Sequence, residues 1–189
     1  SYNLDTLMKQ KYKYVKNMLS QDLVNFLTSF SLKNIQKGDV DAPMSSSLHS
    51  VNSEIYTHII HHLHPIMESE TNLKLKPIYS YNRIYYGGSE LQKHVDRDSC
   101  EISASIGLNF HYENTNYKWP LCMGDMPIII KPGDGVIYKG AEIEHWRPIF
   151  TQPTNCWHHQ LFIHYVDLNG PFANLQEESN QENIKNNLD

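Results

Sequence analysis

Apolar residues recur at helical spacing through the first third of the chain and at strand spacing beyond it. Leu4, Leu7, Met8, Tyr12, Val15 and Leu19 fall three and four apart with lysines between them, which predicts one amphipathic helix. Ser20-Gln21-Asp22-Leu23 offers an N-cap to a second helix striped by Leu23, Phe26, Leu27 and Phe30. Lys37-Gly38-Asp39 is expected to close that helix, and 41–47 (Asp-Ala-Pro-Met-Ser-Ser-Ser) reads as a loop. A third helix is predicted over 53–69, burying Ile55, Ile59, Ile60, Leu63, Ile66 and Met67.

From Leu75 the period shortens. The stretch 77–86 is rich in Tyr and Ile and stops at Gly87-Gly88. Residues 102–109 alternate apolar with small polar side chains. Strands are also expected over 126–131, 135–138 and 157–167, with Pro132-Gly133-Asp134-Gly135 as a tight turn. Short strands separated by turn signals predict a sandwich or barrel. The expected class is therefore α+β with a mainly β core and an N-terminal helical layer. We expect a single domain over 1–173, with a helical part at 1–72 and a β core at 73–168. The polar, acidic tail at 174–189 is expected to be a surface helix or disordered.

At 189 residues the chain is long enough for one domain with a sizeable core. No apolar run reaches membrane-spanning length, and the first residues have neither a charged n-region nor an apolar h-region. Cys100, Cys122 and Cys156 are odd in number and widely spaced, which fits reduced thiols and predicts a cytoplasmic protein. The net charge of −5, with no basic block beyond 9–16, disfavours nucleic acid as a partner.

The chemistry-bearing residues are His94-Val95-Asp96 and, about fifty positions on, His145-Trp146-Arg147. Two imidazoles and one carboxylate can occupy one face of an octahedral Fe(II) and leave the opposite positions open. His94 and Asp96, at i and i+2, point the same way from an extended segment. A surface hydrogen-bonded pair is the plain alternative for His94 and Asp96, and a packed core histidine beside Trp146 is the alternative for His145. The helical and loop histidines His49, His58, His61, His62 and His64 are read as solvated or helix-face residues.

At these residues the chain resembles the Fe(II)/2-oxoglutarate-dependent dioxygenases, in particular their prolyl-hydroxylase-like branch. The resemblance runs through the Tyr-rich strand, Gly87-Gly88, His94-x-Asp96, the strand at 102–109, Pro132-Gly133-Asp134-Gly135-Val136-Ile137-Tyr138 and Glu144-His145-Trp146-Arg147. It covers about 77–168. It implies a double-stranded β-helix, or jelly roll, with His94, Asp96 and His145 holding Fe(II). It also implies 2-oxoglutarate and O2 as cosubstrates, with succinate and CO2 released as a substrate is hydroxylated. That substrate would be a prolyl residue, a free amino acid or a small metabolite. Relatives that halogenate lack the carboxylate ligand, so Asp96 favours hydroxylation.

In relatives an Arg or Lys about ten residues after the distal His anchors the far carboxylate of 2-oxoglutarate, but 149–160 contains neither. Arg147 is favoured in its place because a guanidinium suits a carboxylate; an ion pair with Glu142 or Glu144 is its alternative. His158 ranks second, sharing inward parity with Gln160, Phe162 and His164, and Arg83 is a further option. Tyr85 or Tyr86 is expected to offer a hydroxyl to the cosubstrate, and Ser105 to line its pocket. Arg97, Asp98 and Glu101 follow the ligands at the mouth, where Arg97 and Asp98 are candidates to meet substrate. Two other classes stay open: a cupin-like metalloprotein working without 2-oxoglutarate, favoured by the missing anchor, and a non-catalytic β-barrel binding module.

Overall fold

Alternation along the last long strand separates the two larger of three apolar clusters among the described residues. Leu161, Ile163 and Tyr165 join the helices in one apolar cluster, while Phe162 joins a second cluster with Tyr85, Trp119, Val136, Tyr138 and Phe150. The computed structural model describes residues 2–33, 35–36, 47–50 and 54–178. Its elements run α1 (Tyr2–Gln10), β1 (Tyr12–Val15), α2 (Gln21–Lys33), β2 (Ile35–Gln36), β3 (Ser47–Ser50), α3 (Glu54–Thr71), β4 (Leu75–Tyr86) and β5 (Leu91–His94). A 3₁₀ turn (Asp98–Cys100) precedes β6 (Ile102–His111), β7 (Leu121–Met123), β8 (Met126–Ile128), β9 (Gly135–Tyr138), β10 (His145–Arg147) and β11 (Trp157–Asp167).

Seven strands in the order β1-β9-β6-β11-β4-β3-β2 form the major sheet, and β5-β10-β7-β8 form the minor one. All pairs are antiparallel. The expected α+β jelly roll with a helical layer on one face is the observed architecture. The helices cover the outer face of the major sheet through Leu27, Tyr56, Ile60, Leu63 and Met67, and the minor sheet closes the inner face. Among the described residues no helix is long and apolar enough to cross a membrane.

Several expected elements are corrected. The first helix does not run to Leu19: it ends at Gln10, Lys11 takes a left-handed φ of 69°, and Tyr12–Val15 pairs with β9. Tyr12-Lys13-Tyr14-Val15 satisfies the helical period and the strand period alike, and the open edge of β9 decides between them. The second helix stops at Lys33, before a short strand pair between β2 and β3. The predicted stop at Lys37-Gly38-Asp39 and the loop at 41–46 lie outside the described residues. The strand expected over 126–131 is only Met126–Ile128. The tail does not begin as a helix: up to Glu178 it lies as an irregular strap, with Glu178 N–H donating to the Ile78 carbonyl at 2.7 Å and Lys76 donating to the Leu175 carbonyl at 3.0 Å.

A buried histidine joins the helical layer to the sheet. His159 Nε2–H donates to Asn82 Oδ1 at 2.8 Å, which leaves Nδ1 to accept the Thr28 hydroxyl at 3.0 Å. Burial pushes its pKa down to about 3, and burial likewise takes His164 down to about 4, against the pull of Asp96. Because the folded values lie below the unfolded value of roughly 6.5, the unfolded chain takes up protons that the folded chain refuses. Their contribution is complete above that pH and falls as the pH drops towards 4 and 3. Thermal unfolding followed from pH 7 to pH 4 should therefore show a steep loss of Tm. His159→Gln should lessen it, since the amide does not titrate and only the His164 share remains.

Candidate metal centre

The minor sheet brings the two histidines together. His94 ends β5, His145 opens β10, and the two are register partners. Asp96, two residues past His94, is held from behind by its own N–H donating to the Gly140 carbonyl at 2.8 Å. Asp96 Oδ1 lies 3.2 Å from His94 Nε2 and 3.3 Å from His145 Nε2. The rings are 4.3 Å apart between centroids.

The backbone sets the tautomer of both rings. His94 Nδ1 faces the Gln92 carbonyl at 2.8 Å, and His145 Nδ1 faces the Ile143 carbonyl at 2.9 Å. A carbonyl only accepts, so each Nδ1 carries the proton and each neutral ring turns the lone pair of Nε2 towards Asp96. With both rings neutral, two imidazole lone pairs and a carboxylate oxygen converge with no proton among them. The donor set fits a divalent cation bound by nitrogen and oxygen, with the outer hydrogen bonds that orient ligating histidines already in place. Without a cation, protons substitute. Burial lowers the His94 pKa but is outweighed by the Asp96 and Gln92 contacts, so the net direction is up. Burial would raise the Asp96 carboxyl, yet hydrogen bonds to His145 and His94 hold it well below the usual carboxylate range.

Gly140 keeps this geometry possible. A Cβ there would lie 2.5 Å from the Cys100 carbonyl and 2.6 Å from Asp96 Oδ2, closer than real contacts allow. Gly140→Ala should displace the Asp96 segment, weaken metal binding and cost on the order of 1–3 kcal/mol of stability. Metal titration and thermal melting of the same sample check both.

Arg147 leaves β10 two residues beyond His145 and is only 2% exposed. Its Nη1 donates to the Trp119 carbonyl at 3.2 Å, and the guanidinium lies 4.5 Å from the centroid of the Trp119 ring. Nε and Nη2 are buried without a partner. Among the described residues no carboxylate pairs with Arg147. The alternative ion pair with Glu142 or Glu144 is not formed, and Glu142 lies instead by Lys139 at 3.6 Å and Lys11 at 3.8 Å. The Tyr85 ring sits 5.7 Å from the same guanidinium, and its hydroxyl is also buried without a partner. Burial pushes the Tyr85 pKa up, against Arg147 and Arg83, so it remains a neutral O–H donor. Three buried donor groups without an acceptor point to an anion (an unpaired buried cation is costly).

Other candidates are placed differently. Tyr86 is half-buried and one residue out of phase with Tyr85, so it does not share the inward face. His158 is inward but already engaged. Gln160 donates through Nε2 to Ser105 Oγ at 2.8 Å, so Gln160 Oε1 accepts from His158 Nε2–H at 2.9 Å. Nδ1 then accepts the Tyr112 hydroxyl at 2.7 Å. Burial and the Arg147 charge hold the His158 pKa far down, so it is a neutral strut in this chain. Ser105 is fully buried at its end. Arg83 is buried on the inward face of β4, its guanidinium 5.3 Å from the Tyr81 ring centroid. Arg97 and Asp98 are exposed beyond the ligands, and Arg97 pairs with Glu178 at 3.0 Å. Trp119 and Gly140 were not singled out in the sequence as site residues; Trp119 comes from an irregular segment without periodicity.

No family model and no curated protein sequence matches the chain. Solved structures do match its fold. A Pseudomonas putida prolyl-4-hydroxylase superposes with a TM-score of 0.63 at 15% identity, covering 88% of this chain and 97% of that one. HygX from Streptomyces hygroscopicus, solved with nickel, 2-oxoglutarate and hygromycin B, gives 0.68 at 11% identity, covering 89% and 87%. A prolyl hydroxylase from Trichoplax adhaerens, in complex with a hypoxia-inducible-factor peptide fragment, gives 0.58 at 12% identity, covering 92% and 91%. The chain thus has the jelly-roll fold of these enzymes. The fold alone does not carry their activity.

Proposed function

We propose that this protein is a non-haem Fe(II)- and 2-oxoglutarate-dependent oxygenase that hydroxylates its substrate with release of succinate and CO2. One observation carries the reading. A three-ligand face of His94, Asp96 and His145 stands two residues along one strand from a buried guanidinium whose Nε and Nη2 have no partner. The metal would supply dioxygen activation at its open positions. The protein's own residues do the rest. The carbonyls of Gln92 and Ile143 orient the imidazoles, Arg147 and the Tyr85 hydroxyl receive the far carboxylate of the cosubstrate, and Trp119 and Phe150 keep water from that end.

The reading without 2-oxoglutarate drew on the absence of Arg and Lys from 149–160. Arg147 offers the same charge from β10, a strand earlier, and so weakens that argument. The substrate is proposed as a prolyl residue, a free amino acid or a small metabolite. The fold neighbours hold both a peptide and a small molecule, so the fold does not choose between them.

Anaerobic addition of Fe(II) and then 2-oxoglutarate should produce a weak charge-transfer band towards the red end of the visible spectrum. Tight Fe(II) binding with no band would sink the 2-oxoglutarate assignment, and no Fe(II) binding would sink the metal assignment. A succinate-release screen across prolyl peptides and free amino acids then separates the substrate classes.

A further inference from the structure

Asp96 meets the two histidines through Oδ1, and its other oxygen is turned the opposite way. Oδ2 is buried and has no hydrogen-bond partner. Next to it stands His164 of β11, 3% exposed, whose Nε2 is likewise buried without a partner. Donor atoms of Asp96, Cys100 and His164 all lie within 4.8 Å of one another. Both buried atoms lack a partner among the described residues, and a carboxylate oxygen of Asp96 lies within 4.8 Å of a ring nitrogen of His164, a separation that one shared partner can span.

Its chemistry follows from the hydrogens already placed. Ser103 Oγ donates its single proton to the Cys100 carbonyl at 3.0 Å. It must therefore accept in its 2.6 Å contact with His164, so His164 Nδ1 bears the hydrogen. The neutral ring then presents a lone pair at Nε2, facing another lone pair at Asp96 Oδ2. One water molecule satisfies both by donating a hydrogen to each, with Cys100 Sγ as a third polar neighbour. That number of partners is typical of a buried structural water.

Resting on the reading of His94, Asp96 and His145 as metal ligands, we propose that His164 is a positioning residue. It holds Asp96 Oδ2 through one bridging water, so that the carboxylate meets the metal through Oδ1 alone. The consequence concerns coordination number. A carboxylate free to swing chelates through both oxygens and fills one of the positions that the cosubstrate and dioxygen need. Tethering Oδ2 keeps that position open. Gly140, which has no side chain to fill the space, leaves room beside the same oxygen and Ser103 Oγ.

Co(II), a spectroscopically visible substitute for Fe(II), tests this in the purified protein. Wild type should bind one equivalent. His164→Phe keeps the ring volume but removes both nitrogens, and should weaken Co(II) binding about 10–100-fold, the usual cost of losing an outer partner of a ligand. Its visible d–d absorption should change as a second carboxylate oxygen enters the coordination sphere. His164→Gln, whose amide can hold the same water, should recover most of the affinity and the wild-type spectrum. Ser103→Ala, which leaves residue 164 intact, should weaken binding in the same direction and covers the case in which His164→Phe fails to fold. Co(II) bound by His164→Phe, or by Ser103→Ala if the former does not fold, with wild-type affinity and spectrum would overturn the positioning role and leave the metal site standing. Failure of wild type to bind Co(II) would overturn both.

Discussion

Asp96→Ala should eliminate Fe(II)-dependent turnover of 2-oxoglutarate to succinate, measured without any prime substrate, while the protein still folds. Asp96 is the anionic member of the proposed ligand set, and its Oδ1 lies within 3.3 Å of both imidazole Nε2 atoms. Removing it leaves two neutral ligands for a divalent cation. The loss should therefore exceed the roughly 10–100-fold that removal of an outer-sphere partner costs. His94→Ala and His145→Ala should behave alike, and unchanged turnover in any of the three would remove this site from the reaction.

The same substitution has a pH signature in the metal-free protein. The Asp96 pKa is lowered by its histidine contacts, so its contribution is present above roughly pH 4 and is lost as the pH falls. The His94 pKa is raised, so its contribution is present below about 6.5 and is lost as the pH rises through the folded value. The Tm difference between metal-free wild type and Asp96→Ala should consequently peak between about pH 4 and 6.5. Metal affinity should run the other way and strengthen as the pH rises, because binding displaces the proton that the cluster otherwise holds. A Tm difference independent of pH would mean that Asp96 packs against the histidines without sharing charge with them.

The long elements of this fold are readable from sequence because they carry enough periods. β4 and β11 each run eleven residues or more, and α3 has five turns' worth of apolar stripe. β5, β7 and β10 have three or four residues and one alternation at most, so no pattern can announce them. Yet β5 and β10 carry His94 and His145. The candidate ligands stand out through the spacing of His94 and Asp96 and the turn before β9, while the strands that carry them do not. β1 is ambiguous in sequence because its Tyr-Lys-Tyr-Val run suits both periods, and only the neighbouring edge of β9 selects one. Arg147 illustrates the complementary limit. Its position relative to His145 suggested an inward guanidinium, but the absence of a carboxylate partner is a property of packing. The engagement of His158 by Tyr112 and Gln160 is likewise a three-dimensional fact, joining residues that lie 46 and 2 positions away.

Arg147→Met should move stability and cosubstrate affinity in opposite directions. In the metal-free, ligand-free protein this guanidinium is buried, and among the described residues its only hydrogen bond is to the Trp119 carbonyl. Replacing buried ionic groups by apolar side chains of similar volume is often neutral or stabilising by about 1–4 kcal/mol. Met retains the contact with Trp119 and Tyr85, so the ligand-free Tm should hold or rise. Binding of 2-oxoglutarate should suffer, since truncating one partner of a buried charged pair costs about 2–5 kcal/mol, or roughly 30- to several-thousand-fold in KM. Tyr85→Phe, which removes one neutral donor to the same group, should cost less, about 1–3 kcal/mol at most. His158→Ala should show the converse profile. It leaves Gln160 Oε1 and the Tyr112 hydroxyl without their partner, and so should lower Tm while changing KM for 2-oxoglutarate less than Arg147→Met does. If His158→Ala raises KM more than Arg147→Met, the anchor lies on β11 and Arg147 has been misassigned. If Arg147→Met lowers the ligand-free Tm sharply with no change in KM, the guanidinium is structural. Only the opposed pair of shifts matches a cation kept buried for an anion that arrives with catalysis.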